Sequence, residues 1–399
     1  MANALPTDVV ILSGARTPIG KFMGALAALP ATRLGAVALR AAVARAGVDP
    51  AAIEEVLFGQ VVAAGSGLAP ARQVALFAGL PATVGAVALN KACGSGLKAV
   101  MLAAQAIRAG DARLLAAGGM ENMSALPHLV FVRQAARYGD QPMFDSVLHD
   151  GLMDPFEHWV MGNAAEYIAG EYAVTRAAMD QFALDSHRKA LAAQDAGRFR
   201  AEIAPVEIEA KGRTTVVDTD EAPRRETSLA ALAALKPAFQ KDGRVTAGNA
   251  PGFSDGAAAV IVAERAYAEQ HGHRPLARIV GYTSAAVEPK RLFIAPALAI
   301  PKLLARIGWT LADVDLIELN EAFAAQALAD GYALAEQGWD WNKVNVNGGA
   351  VALGHPVGAS GARVVVTLMN ALRERGLRRG LASLCLGGGE AVALALEIE

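Results

Sequence analysis

Two stretches from opposite halves of the 399-residue chain share one design. "GVDPAAIEEVLFGQV" (Gly47–Val61) and "GWTLADVDLIELNEA" (Gly308–Ala322) each run from a glycine through a helix-capping turn into an apolar strand. Each follows an amphipathic helix ending in arginine, Leu34–Arg45 in the first case and Pro296–Arg306 in the second. A second pair comes in the same order: "CGSGLKAVMLAAQAIRAG" (Cys93–Gly110) and "GASGARVVVTLMNALRERG" (Gly358–Gly376). Both lead into an apolar strand and a glycine cluster, Gly118-Gly119 or Gly387-Gly388-Gly389. Two elements that match in order predict a duplicated fold. Short apolar strands alternating with longer alanine-rich helices make each half α/β, with a mostly parallel sheet. The first strand is predicted over Val9–Leu12, entering a turn at Gly14.

Between the halves the texture changes. Residues 122–253 hold most of the histidines and polar runs such as "KGRTTVVDTDEAPRRETS". Long irregular stretches inside compact proteins are often functional. This one reads as an inserted lid or substrate-binding domain. The expected domains are 1–121 with 254–273, then 122–253, then 274–399.

Composition excludes several classes. Charged residues make up only 19%, and 37 Lys and Arg nearly balance 39 Asp and Glu. That leaves no broad cationic surface for nucleic acid and no disordered charged tail. No charge-free apolar stretch of about 20 residues offers a membrane span. The start, "MANALPTDVVILSGARTP", lacks the cationic and long apolar regions of a signal peptide. Two cysteines cannot build a disulfide framework, which suggests a reducing cytoplasm. No CxxC pair and no histidine pair has metal-ligand spacing.

One of those cysteines, Cys93, lies where an apolar strand stops and a helix begins, in "NKACGSGLKAV". A helix start offers unpaired N–H groups and partial positive charge, so it favours a thiolate and is expected to lower the thiol pKa. Gly94 and Gly96 allow a tight turn and close approach of a substrate. The strand–turn–helix pattern is that of a nucleophile elbow. A buried structural cysteine would fit the same position. His355, in "NVNGGAVALGHPVGASGAR", stands at the pseudo-symmetric counterpart of the cysteine turn, and duplication would bring the two helix starts together. Cys385 ends a strand before three glycines, whose N–H groups suit an oxyanion hole. Asn320, in "LNEAFAAQ", follows another strand where a site would form.

The ordered motifs "NKACGSGLKA", "GNAPGFSDGAAA", "LNEAFAAQ", "NVNGGAVALGHPVGASGAR" and "CLGGGEAVA" resemble those of the thiolase family, the acetyl-CoA acetyltransferases and 3-ketoacyl-CoA thiolases. The likeness runs from "ARTPIGKF" to the end of the chain. It implies two βαβαβαββ halves, layered α/β/α/β/α, with a loop domain inserted in the first. By the same resemblance Cys93 is the acylated nucleophile, His355 its base, and Cys385 the carrier of a second proton. Asn320 holds a water that shares one oxyanion hole with His355. The N–H groups of Cys93 and Gly387 form the other. Leu152, Met161, Arg224, Phe239, Ala247, Pro251 and Phe323 lie along CoA. The substrates implied are CoA and acyl-CoA, with no metal and no permanently bound cofactor. The implied assembly is a homotetramer, a dimer of dimers, with contacts in Met123–Asp140.

Three departures from the family pattern stand out. Val160 precedes Met161 where short-chain members usually carry histidine, which favours acyl chains longer than acetoacetyl. Pro251 replaces a frequent serine. Glu390-Ala391 replaces the usual Met-Gly or Gln-Gly after the glycine run. Rival functions are a decarboxylating ketoacyl synthase of the same fold, a non-catalytic acyl-CoA-binding protein, and a cysteine hydrolase. Cys385 argues against the first and retention of all four side chains against the second; dependence on free CoA would exclude the third.

Overall fold

The computed structural model describes residues 8–133, 138–210 and 212–399. In chain order the first half opens with β1 (Val9–Arg16), α1 (Ala31–Ala46), β2 (Glu55–Gly59), α2 (Pro70–Ala78), β3 (Gly85–Leu89), α3 (Ser95–Ala109) and β4 (Leu114–Asn122). The next stretch carries α4 (Met161–Glu171), α5 (Arg176–Asp195) and a small hairpin, Val206–Ala210 with Arg213–Val217. Strand β5 (Ser254–Glu264) follows. Then come β6 (Ala277–Ala286), α6 (Pro296–Ile307), β7 (Leu316–Leu319), α7 (Ala324–Ala333), α8 (Val357–Arg375), β8 (Arg379–Leu386) and β9 (Glu390–Ile398).

The halves share one topology. In the first, β1 lies beside β5, then β4, β2 and β3. In the second, β6 lies beside β9, then β8 and β7, and Ile317 of β7 bridges in parallel to Val344 where a counterpart of β3 would run. The helices match as well. Glycines in the left-handed region end α1 and α6 at Gly47 (φ 64°) and Gly308 (φ 71°), and end α3 and α8 at Gly110 (φ 84°) and Gly376 (φ 64°). Only glycine adopts that conformation without strain, which is why these residues mark the repeat in the sequence.

The sheet is mixed rather than mostly parallel. β2 pairs in parallel with β3 and β4, and β7 with β8, but β5 and β9 enter antiparallel to both their neighbours. For β9 the reason is connectivity. β9 returns from β8 through the three-glycine turn, and only antiparallel strands close over so short a loop. β1 and β6 join the halves at a short seam, Val10 with Arg278 and Ile11 with Ala277.

Apolar faces stack these elements in five layers. α1 and α2 cover the outer face of the first half, burying Leu34, Leu39, Val74 and Ala75 against Phe58 and Ile261. α6 covers the outer face of the second, through Ile300, Leu303 and Leu304. α3 and α8 lie between the two halves, where Leu97, Val100, Val364 and Leu368 meet residues of both. Their first turns touch almost backbone to backbone. A Cβ on Gly96 would lie 2.7 Å from the Ala362 nitrogen, and one on Gly361 would meet the Leu97 nitrogen. That approach brings Cys93 and His355 to one cleft, because each precedes its helix by two residues.

Candidate active site

Strand β3 ends at Leu89, and the next five residues make the elbow. Ala92 is driven to φ 44°, uncommon for a residue with a side chain. Local bonds hold it there. Asn90 Oδ1 accepts the Ala92 N–H (2.9 Å), while Ser95 Oγ accepts from the Lys91 N–H (2.8 Å) and donates to the Ala92 carbonyl (2.7 Å). Cys93 follows, half-buried, at the mouth of α3. The backbone N–H groups of Gly387 and Cys93 act on its sulfur to pull its pKa down. Burial outweighs them and pushes the thiol up to about 11. The lowering expected from the helix start is thus overturned: desolvation wins, and the resting group is a thiol.

His355 is buried on the Gly354–Pro356 turn before α8. Ser360 Oγ donates to the Pro356 carbonyl (3.0 Å) and lies 2.6 Å from His355 Nδ1. A hydroxyl has one proton to give, so Nδ1–H donates to Ser360 and Nε2 keeps its lone pair. Burial, with Arg363 adding to it, lowers the imidazole pKa to about 3. His355 is therefore a neutral base awaiting a proton. The sequence reading missed Ser360, although it lies one helical turn into the same motif.

Asn320 directly follows β7, fully buried, with Nδ2 3.5 Å from His355 Nε2. Its Oδ1 has no hydrogen-bond partner among the described residues. Next to it, Glu321 anchors the loop: Oε1 accepts from Asn345 Nδ2 (2.8 Å), and Oε2 from Ser186 Oγ (2.8 Å) and the Val351 N–H (3.0 Å). So the "LNEAF" and "NVNGG" motifs lock to each other. Glu121, another residue the sequence reading missed, does similar work beneath the elbow. It accepts N–H bonds from Val61 (2.9 Å) and Gly358 (3.0 Å). Burial raises its carboxyl to about 8 against those bonds.

Cys93, His355, Cys385 and Gly387 line one cleft of about 430 Å³. Cys385 lies at its floor, almost wholly buried, and burial raises its thiol, with Cys93 and Asp330 adding to the rise. The wall is apolar. Leu152, Met161, Phe239, Pro251 and Phe323 line it together with Val160, Leu148 and Met153. Phe323 stands between Phe239 and Phe293, edge-on to each, with ring centres 6.4 and 5.4 Å apart. Arg224 and Ala247 do not line the cleft and are exposed. Asn320 sits behind His355 rather than on the lining. Among the described residues no cluster of His, Cys, Asp or Glu is arranged to hold a metal.

The whole chain has known counterparts. Residues 9–266 match the model of the thiolase N-terminal domain, and residues 273–398 that of the thiolase C-terminal domain. The acetyl-CoA acetyltransferase of Cupriavidus necator is 54% identical over 393 residues, covering 98% of this chain and 99% of its own length. That of Pseudomonas aeruginosa is 52% identical over 391 residues, with the same coverage. The crystal structure of the Bacillus anthracis acetyl-CoA acetyltransferase superposes with a TM-score of 0.95 at 43% identity, over 98% of this chain and 99% of that one. Two matched halves, each giving one helix start to a shared cleft, agree with those likenesses along nearly every residue: the chain belongs to the thiolase family.

Proposed function

We propose that this protein is a CoA-dependent acyltransferase, an acetyl-CoA C-acyltransferase. It condenses acyl-CoA with acetyl-CoA, or splits 3-ketoacyl-CoA with CoA, through an acyl group on Cys93. The observation that carries this reading is a single cleft holding two thiols, a neutral imidazole and a paired set of N–H donors. In the thiolysis direction, His355 Nε2 takes the Cys93 proton as sulfur attacks the 3-keto carbon. Collapse breaks the carbon–carbon bond, leaving the acyl group on sulfur and an acetyl-CoA enolate. Enolates need a stabilised oxygen, supplied by His355 with the water proposed on Asn320. Cys385 protonates the α-carbon and recovers a proton from the CoA thiol. That thiolate attacks acyl-Cys93, whose oxygen turns toward the N–H groups of Cys93 and Gly387. His355 returns its proton to the departing sulfur. Splitting the exchange over a covalent intermediate gives two easier steps. Cys385 favours this reaction over decarboxylating condensation.

CoA lies along the apolar wall, with pantetheine against Leu152, Met161, Pro251 and Phe323, and the nucleotide toward Phe239, Ala247 and Arg224. We assign 1–121 with 254–273 and 274–399 to the two halves, and 122–253 to the CoA-binding insertion. The working form is a homotetramer in the cytoplasm, where two free thiols stay reduced. Fatty acid metabolism is the setting that suits these substrates. A CoA-thiolysis assay across 3-ketoacyl-CoA lengths, with mass spectrometry of quenched protein, tests the core of this. The acyl group is expected on the Cys93 peptide. Cys385→Ser should keep that adduct and lose about 10²-fold in condensation. An adduct found only on Cys385 would reverse the roles.

A further inference from the structure

Glu390 stands where relatives usually carry Met or Gln, and it does not line the cleft. It closes the three-glycine turn, paired with Leu386 at the end of the β8–β9 hairpin. Lys91 lies across the site, two residues before Cys93. Lys91 Nζ is 2.6 Å from Glu390 Oε2, so one ion pair ties the nucleophile turn of the first half to the glycine turn of the second.

Both ends of this tie are stiff. The Lys91 backbone is bonded to Ser95 Oγ, in the first turn of α3. On the other side, Gly389 accepts a 2.7 Å bond from the Val287 N–H. Between the ends Gly387 packs against the nucleophile turn, where a Cβ on it would lie 3.7 Å from that of Ala92, and its N–H pulls the Cys93 pKa down. Lys98 lies close to the same pair: burial lowers its pKa, Lys91 adds to the fall, and Glu390 opposes it. Glu390 thus pairs with one ammonium group, Lys91, and opposes the fall in pKa of a second, Lys98. Side chains 23% and 38% exposed gain little stability from pairing. Alignment is a different matter, since a shift of about 1 Å at a reacting centre costs about 10²-fold in rate.

We propose that the Lys91–Glu390 ion pair is a positioning clasp that sets the distance between the Cys93 sulfur and the Gly387 N–H, and so the strength of the oxyanion hole. The inference rests on the roles given above to Cys93 and Gly387. The test compares wild type, Glu390→Gln, Lys91→Met and the reversed pair Lys91→Glu with Glu390→Lys. Acylation of Cys93 by acetyl-CoA is followed in a single turnover, with kcat, KM and Tm measured alongside. Each single variant should acylate about tenfold more slowly, less than the loss from removing an oxyanion donor outright. KM should stay within about twofold and Tm within about 2 °C. The reversed pair should regain most of the rate. Wild-type acylation rates in the single variants would overturn the clasp. So would a reversed pair as slow as the singles, or a loss that arrives with matching shifts in KM and Tm. A wild type that never acylates Cys93 would sink the nucleophile assignment instead, and the clasp with it.

Discussion

At Cys93 and His355 the resting charges decide how the reaction must begin. Burial holds the thiol near 11 and the imidazole near 3, so the two groups rest as a neutral pair. Only thiolate reacts with an alkylating agent. Iodoacetamide labelling of Cys93 should therefore climb steadily from about pH 6 to about pH 9. A plateau below neutrality would reveal a thiolate–imidazolium pair. Val160 carries the second expectation at this scale. It lines the cleft beside Leu148, Leu152 and Met153, and offers two methyl groups where the resemblance drawn from the sequence would put a histidine ring. Each buried methylene gains about 0.8 kcal/mol, so two carbons improve kcat/KM by about tenfold. Wild type should favour six-carbon over four-carbon 3-ketoacyl-CoA, and Val160→His should reverse that order. A wild type confined to the four-carbon substrate would rule this out. The side chains proposed to react were legible as candidates because each sits in a glycine-rich motif beside an element end. Ser360 and Glu121 were not singled out, for a hydroxyl or carboxylate that bonds a backbone group leaves no spacing signature. The Lys91–Glu390 pair joins positions 299 residues apart, beyond any local pattern.

At the scale of elements, the site depends on how closely α3 and α8 approach. A side chain at Gly361 would enter the backbone of α3 at Leu97. Overpacking of this kind costs about 3 kcal/mol, so Gly361→Val should lower the denaturant midpoint accordingly. It should also slow Cys93 acylation, because the crossing sets both helix starts. An unchanged midpoint would show that the helices can part without penalty. Periodicity and glycine stops located these helices well: Leu34–Arg45 was expected and Ala31–Ala46 forms. The first strand outran its expected end at Leu12 and continues to Arg16. Its last residue is buried only because Glu202 (2.6 Å) and Asp220 (2.7 Å) arrive from far along the chain to neutralise it. The run before Cys93 is apolar, yet β3 is a largely exposed sheet edge.

That exposed edge matters for the molecule as a whole. Val87 on β3 is 43% exposed, and Val130, Phe131 and Val132 form an apolar surface of similar openness. Unpaired edges and apolar patches are liabilities for a monomer. Residues 134–137 of the proposed tetramer-contact segment lie outside the described residues. Light scattering should give the mass of four chains, and Phe131→Asp should reduce it to two. A stable monomer at micromolar concentration would remove the tetramer from consideration. The duplication was readable because it repeats whole elements, whereas the antiparallel course of β9 follows from the short turn that joins it to β8. The two equivalent helix starts carry different groups, a thiol before α3 and an imidazole before α8. Two identical copies of one half, meeting on a two-fold axis, would place the same residue at both starts. Covalent fusion releases the positions from that identity. A symmetric pair would have to forgo that division of labour, since neither helix start of this chain carries both groups.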